Sequence, residues 1–230
     1  MSAQAIPLAD DTGAGAALRR ALVLGTCTAV TFLYAMTVTI ANVSLPQMQG
    51  ALSATQDQIA WVLTANLVAT AVATPLAGWL VSRFGRRRVC NFGVVAFGAA
   101  SLACGLAESL EQLVLFRALQ GAVGAPLVPA SQAIVLDTYP RRSHGAVIAI
   151  YGMGSVLGPI VGPVVGGYLS ETYNWRWVFY MIVPFSAAAL VGNWLFIRDR
   201  ESPARVRLDW LGFLLLSAML ASLQLMLDRG

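Results

Sequence analysis

The sequence predicts an all-helical, polytopic membrane protein of the helical-bundle class, with about seven spanning helices. Three observations predict it. Hydrophobic residues make up 57% of the chain and charged ones only 11%, with a mean hydropathy of +0.69, whereas soluble domains carry about a quarter charged residues. Seven apolar segments, near 21–45, 58–82, 88–107, 110–136, 145–169, 176–197 and 209–227, approach or exceed the ~20 residues a helix needs to cross the hydrocarbon. These runs are continuous rather than alternating, which argues against a β-barrel.

The arginines set the orientation. All fifteen basic residues are arginine. Arg19 and Arg20 precede the first segment, and Arg83, Arg86, Arg87 and Arg88 lie between the second and third. Arg141 and Arg142 separate the fourth and fifth, and Arg198, Arg200, Arg205 and Arg207 the sixth and seventh. All of these fall on one side of the membrane, which the positive-inside rule makes cytoplasmic. The other side holds Arg176 and Arg229 with Asp57, Glu108, Glu111, Glu171 and Asp228. A net charge of +4 distributed in this way predicts no nucleic-acid partner. The expected division is a cytoplasmic tail over 1–20, a six-helix bundle over 21–197, a cytoplasmic loop over 198–208 and a seventh helix over 209–230.

The first segment is too long for a signal-peptide core and lacks a small-residue cleavage site, so it is read as a retained helix. Thr28, Thr31, Thr39 and Asn42 share one of its faces. Such a stripe either lines a polar path or bonds to neighbouring helices. Trp61, Thr64 and Asn66 are similar candidates in the second segment.

Between the second and third segments runs GWLVSRFGRRRVC, residues 78–90. Gly78 is read as a close-packing residue, and Gly85 as a tight turn. Arg83, Arg86 and Arg87 either simply hold the loop in the cytoplasm or latch neighbouring helices.

The fourth segment contains LFRALQGAVGAP, residues 115–126. Arg117 is the one charge well inside a segment, and such a charge is a functional candidate by default. Gln120, Gly121 and Gly124 share its face. No acid lies in a segment core, so its partners are backbone carbonyls, Gln120, a substrate or residues beyond 230. The alternative is an arginine that snorkels to the interface.

The fifth segment reads GMGSVLGPIVGPVVGGYL, residues 152–169. Gly154, Gly158, Gly162 and Gly166 recur every fourth residue and form a stripe along which two membrane helices can approach. Pro159 and Pro163 remove donors to the carbonyls of Ser155 and Pro159, which predicts a bend. The segment is either a packing helix alone or a hinge between moving halves. Cys27, Cys90 and Cys104 read as small buried hydrophobes, and His144 as a solvated residue at a helix edge. No catalytic pattern, metal cluster or phosphate loop is present, and the sequence predicts neither an enzyme nor a cofactor.

Taken together these motifs resemble the major facilitator superfamily, specifically its 14-helix drug:proton antiporter family (EmrB/QacA type). Residues 78–88, 114–125 and 152–169 resemble that family's signatures, as do TIANVSLP (39–46) and DWLG (209–212). The resemblance implies an alternating-access transporter in the inner membrane of a bacterium that exchanges protons for drugs or other small hydrophobic compounds. It implies a proton-relay or gating role for Arg117, with Gln120 on its face. Gly154, Gly158, Pro159, Gly162, Pro163, Gly166 and Gly167 would form the antiporter hinge, and Gly78, Arg83, Gly85, Arg86 and Arg87 the cytoplasmic latch. Thr31, Thr39, Asn42, Trp61 and Asn66 are the candidate cavity lining. A periplasmic adaptor and an outer-membrane channel are further partners the resemblance allows. A facilitator or symporter, or a non-transporting half, is the alternative. The family pattern carries Asp where this chain has Thr37 and Ser82, so those two acids are absent. The family is also about twice as long, which predicts that this chain is its N-terminal half.

Overall fold

The computed structural model describes residues 14–197 and 208–229. Within them every regular element is helical. In chain order these are α1 (Ala14–Ala51), α2 (Gln56–Ala73), α3 (Leu76–Phe84), α4 (Arg86–Leu106), α5 (Leu110–Gly124) and α6 (Leu127–Thr138). After a single 3₁₀ turn come α7 (His144–Thr172), α8 (Trp177–Tyr180), α9 (Ile182–Phe196) and α10 (Trp210–Arg229). Six helical stretches are long and apolar enough to cross a membrane, and α2 with α3 makes a bent seventh. These coincide with the seven segments expected from hydropathy. Arg198, Arg200, Arg205 and Arg207 lie outside the described residues, as does most of the N-terminal tail.

Local chemistry explains the boundaries. Thr55 and Gln58 form a reciprocal capping box at the start of α2: Gln58 N–H donates to Thr55 Oγ1 at 3.3 Å and Thr55 N–H to Gln58 Oε1 at 2.9 Å. Ser109 caps α5, accepting from Gln112 N–H at 3.3 Å. Asp209 caps α10, accepting from Gly212 N–H at 3.0 Å. Gly85 sits between α3 and α4 at φ +85°, a conformation that favours glycine.

The second segment is not the single helix expected over 58–82. It breaks before Pro75, and α2 and α3 meet at 55°. Pro75 lacks the N–H that would bond residue 71, and its ring crowds that carbonyl. Pro126 likewise separates α5 from α6. In contrast, α7 runs unbroken through Pro159 and Pro163.

Packing depends on glycine. On α7, Gly154, Gly158, Gly162 and Gly166 are all buried. They lie in turn against Thr28, against Phe32 and Met36, against Met36 and Thr39, and against Ile40. The order is the same along both helices, so α1 and α7 are parallel. A Cβ on Gly158 would lie 2.8 Å from both Met36 N and Phe32 O, so the two backbones touch. Polar pairs hold both ends of this seam. Thr31 donates to Tyr151 Oη at 2.6 Å, and Tyr151 in turn to the Val128 carbonyl at 2.9 Å. At the far end Ser44 and Ser170 pair at 2.7 Å, and Gln47 donates to the Ser170 carbonyl at 2.6 Å.

A second parallel pair, α2 with α5, meets at Gly121, and the antiparallel pair α4 and α9 meets at Gly98. One apolar core joins α1, α4, α6, α7 and α9 through residues such as Val30, Phe97, Leu127 and Ile182. Another, around Met48, Val62, Leu113 and Phe179, fills the opposite end. α10 packs against α2 and leaves Leu211, Leu214 and Leu215 exposed, as suits a helix with lipid as solvent.

Leucine at Gly158 is expected to destabilise the protein by about 1–3 kcal/mol or more, because it overfills a backbone contact. Leucine at Gly152, which has nothing within 4 Å of its Cβ position, should stay within about 0.5 kcal/mol of the parent. Thermal unfolding of both variants in detergent tests this, and equal melting temperatures would sink the close-packing role.

Candidate functional site

Arg117 lies seven residues into α5, about 10 Å along its axis. It is only 1% exposed and does not snorkel. Its Nε donates to the Val62 carbonyl of α2 at 3.2 Å, and its Nη1 to Gln120 Oε1 at 2.6 Å. Gln120 is fully buried and passes the chain on, donating from Nε2 to Ser101 Oγ of α4 at 2.7 Å. Ser101 in turn donates to the Phe97 carbonyl at 2.7 Å. In the other direction Asn66 of α2 donates to the backbone carbonyl of Arg117 at 2.8 Å. The Phe179 ring lies 5.8 Å from the guanidinium carbon and supplies a cation–π contact.

The result is a polar strut across α2, α5 and α4, all of whose acceptors are neutral. Gly121 makes it possible. A side chain there would collide with the Asn66 carbonyl and Thr70 Oγ1, so only glycine lets α5 approach α2 to hydrogen-bonding range. Of the partners open to Arg117 from sequence, the carbonyl and Gln120 are the ones observed. Ser101 and Val62 were not legible in advance, because neither carries a sequence signal of its own.

The cavity-lining candidates separate. Asn66 is in the strut and buried. Thr31 is buried in the Tyr151 bond, and Thr39 donates to the Met36 carbonyl at 3.1 Å while facing Gly162. Asn42 and Trp61 are exposed. The stripe on α1 therefore faces the glycines of α7 over much of its length instead of a common cavity. Thr37, where the family resemblance expects an acid, bonds its own helix at the Leu33 carbonyl, 2.7 Å away.

The arginine loop is tied to the rest of the bundle by an ion pair. Arg86 pairs with Asp137 near the end of α6. The loop thus finds an acid partner despite Ser82, whose hydroxyl donates to the Gly78 carbonyl at 2.8 Å. Nothing in the sequence tied Asp137 to Arg86. Arg87 donates to the Trp194 carbonyl at 3.1 Å, and Arg83 is exposed. Gly78 has nothing within 4 Å of its Cβ position, so it is not the close-packing residue expected. On α7, a Cβ at Gly167 would meet only Val43, at an ordinary 3.8 Å, and the stripe proper is Gly154 to Gly166. His144, expected to be solvated, is part-buried, with Nε2 3.0 Å from the Tyr139 carbonyl. The three cysteines are buried and free.

The described residues thus form a bundle of helices long and apolar enough to cross a membrane several times, with a buried arginine strut and glycine-seamed parallel helices. The Major Facilitator Superfamily sequence profile matches residues 27–226, and the chain belongs to that superfamily. It is similar to the multidrug export protein EmrB of Escherichia coli K12, at 40% identity over 87% of this chain and 39% of the relative. It is 36% identical to the fatty acid resistance protein FarB of Neisseria gonorrhoeae over 86% of this chain and 39% of that protein. The chain thus spans about two fifths of the length of these curated relatives. Among solved structures, a peptide transporter POT in complex with sulfate superposes with a TM-score of 0.71 at 20% identity, over 89% of this chain and 44% of that one. That likeness supports the fold.

Leucine at Gln120 removes the acceptor for Arg117 and the donor to Ser101 together. It should cost about 1.5–3 kcal/mol, since a buried charge loses a bond. Alanine at Ser101 should cost only about 1 kcal/mol. Melting temperatures in a common detergent check the order, and a Ser101 variant worse than the Gln120 variant would contradict it.

Proposed function

We propose that this chain forms the first part of a drug exporter, and that the exporter works by proton-coupled antiport through alternating access. The observation that carries the reading is a fully buried arginine with neutral partners in a chain 40% identical to EmrB over most of its length. Residues 21–197 would form the six-helix transporter bundle, 198–208 a cytoplasmic loop and 209–230 a seventh spanning helix. The membrane would be the inner membrane, with the N-terminus cytoplasmic, as the arginine distribution favours. Substrates would be small hydrophobic compounds, and a periplasmic adaptor with an outer-membrane channel would complete the route outward. The role is transport, with no chemical step on the substrate.

Arg117 acts here as a gate. A guanidinium does not give up its proton in a protein, so it cannot carry one. It instead fixes a positive charge inside the bundle, which disfavours a proton nearby and favours an anion. The proton carrier would be an acid elsewhere, because the described spans hold none in their cores. The Arg86–Asp137 pair would latch the cytoplasmic ends of the helices together with Gly78, Arg83, Gly85 and Arg87. The seam from Gly154 to Gly166 would clamp α7 to α1. Pro159, Pro163 and Gly167 would shape the face of α7 against which the rest of the path moves.

Alanine or lysine at Arg117 should abolish protonophore-sensitive dye efflux while membrane insertion stays intact. Lysine fails because its point charge does not reproduce the fork that reaches Val62 and Gln120. Efflux is measured in cells expressing the chain with the coding sequence downstream of residue 230. Unchanged flux at equal expression would refute the gate. Asparagine at Asp137 should slow efflux severalfold yet change stability by under about 1 kcal/mol, since the pair is part-exposed. A melting temperature that falls in step with flux would reduce the pair to a structural role.

A further inference from the structure

We infer that the groove between α3, α4 and the α5–α6 break binds one anionic phospholipid of the cytoplasmic leaflet, with Arg88 holding its phosphate. The inference goes beyond drug transport and rests only on the orientation set by the arginines. The groove has a volume of about 460 Å³. Leu80 and Phe84 of α3, Val89 and Phe92 of α4, and Val123 of α5 line it, and Arg88 is the one charged residue on its wall. The lining is otherwise apolar, as an acyl chain requires.

The geometry fits a lipid better than a soluble ligand. Arg88 and Phe92 are one helical turn apart on the same face of α4. Arg88 lies in the first turn of that helix, at its cytoplasmic end, and Gly93 at the inner end of the groove is about 7.5 Å deeper than Arg88. That is about half the depth of one leaflet, whose hydrocarbon is about 15 Å, so the groove takes the upper part of an acyl chain. Phe92 is 72% exposed and Phe84 46%, so the walls stand open sideways to lipid.

Charge selects the headgroup. The first turn of α4 carries Arg86, Arg87 and Arg88 and no acid. Arg86 is engaged by Asp137 and Arg87 by the Trp194 carbonyl. Arg88 has no hydrogen bond or ion pair among the described residues, and it is exposed at the mouth of the groove. A phosphate with a net negative charge would neutralise it. The larger groove of about 600 Å³ between α1, α7 and α9 has no charged residue in its lining, and it should take acyl chains without headgroup preference.

Native mass spectrometry of the purified chain in detergent tests the site. The chain is titrated with phosphatidylglycerol, with phosphatidylcholine of the same acyl chains, and with soluble glycerol phosphate. Phosphatidylglycerol should bind in preference to phosphatidylcholine, and glycerol phosphate should not bind. Arg88→Gln should weaken phosphatidylglycerol about fivefold, to the phosphatidylcholine level, while Arg142→Gln leaves the preference intact. Ala122→Phe fills the groove and should weaken both lipids, and Phe92→Ser, which removes an apolar wall at an exposed position, should weaken both without disturbing packing. Equal binding of the two lipids, a preference that survives Arg88→Gln, or binding of glycerol phosphate alone would overturn the site. So would loss of binding when the chain is extended by its downstream coding sequence, because another helix would then occupy the groove.

Discussion

The backbone contact between α1 and α7 sets the positions of the other helices. In lipid no hydrophobic force draws two helices together, and association rests on close packing and interhelical hydrogen bonds. Both operate along this seam. Four glycines let the backbones touch, and polar pairs at Thr31–Tyr151 and Ser44–Ser170 hold the ends. α1 then presents its remaining faces to α6 and α9, and Tyr151 reaches the Val128 carbonyl of α6. A shift of α7 by one residue would turn the glycines away and put bulky neighbours such as Leu157 into the seam. The register is therefore strongly specified.

The buried arginine has a different energetic logic. Removing a guanidinium from water is costly, and the cost is offset only when its donors are satisfied. Here the partners are a backbone carbonyl, an amide oxygen and an aromatic face, none of them ionised. The strut therefore ties three helices together while leaving the positive charge uncancelled. A purely structural role would be met as well by a hydrogen-bonded amide or by apolar packing. Retaining the charge makes sense where something else must respond to it, which is the physical case for a gate.

Much of this was legible in the sequence. Continuous apolar runs separated by arginines gave the spans within a few residues, because the hydrocarbon thickness leaves a helix little latitude. The glycine stripe was legible because its spacing matches the helix period. The break at Pro75 was not, since Pro159 and Pro163 in an equally apolar segment leave α7 continuous. What differs is the support: α7 rests along its length on α1, whereas α2 and α3 pack against different helices. The pairing of Arg86 with Asp137 was illegible for a similar reason. It depends on how the ends of two helices meet, which no spacing within either one encodes.

The same contacts bear on whether the glycine–proline segment bends or holds. Along the seam, a Cβ at Gly158 or Gly154 would already sit within 3 Å of α1 backbone atoms, so α7 has no room to pivot toward α1. On the opposite side Val156, Pro159, Ile160 and Val164 are exposed among the described residues. Motion of α7 relative to α1 would break a contact that has no slack, whereas motion against whatever meets the proline face breaks none of the contacts described. The geometry thus favours α1 and α7 moving as one body, with the glycines as the fixed seam and the prolines on the sliding face. Any large movement of this bundle that keeps these contacts is therefore movement against another body, not flexing along the seam.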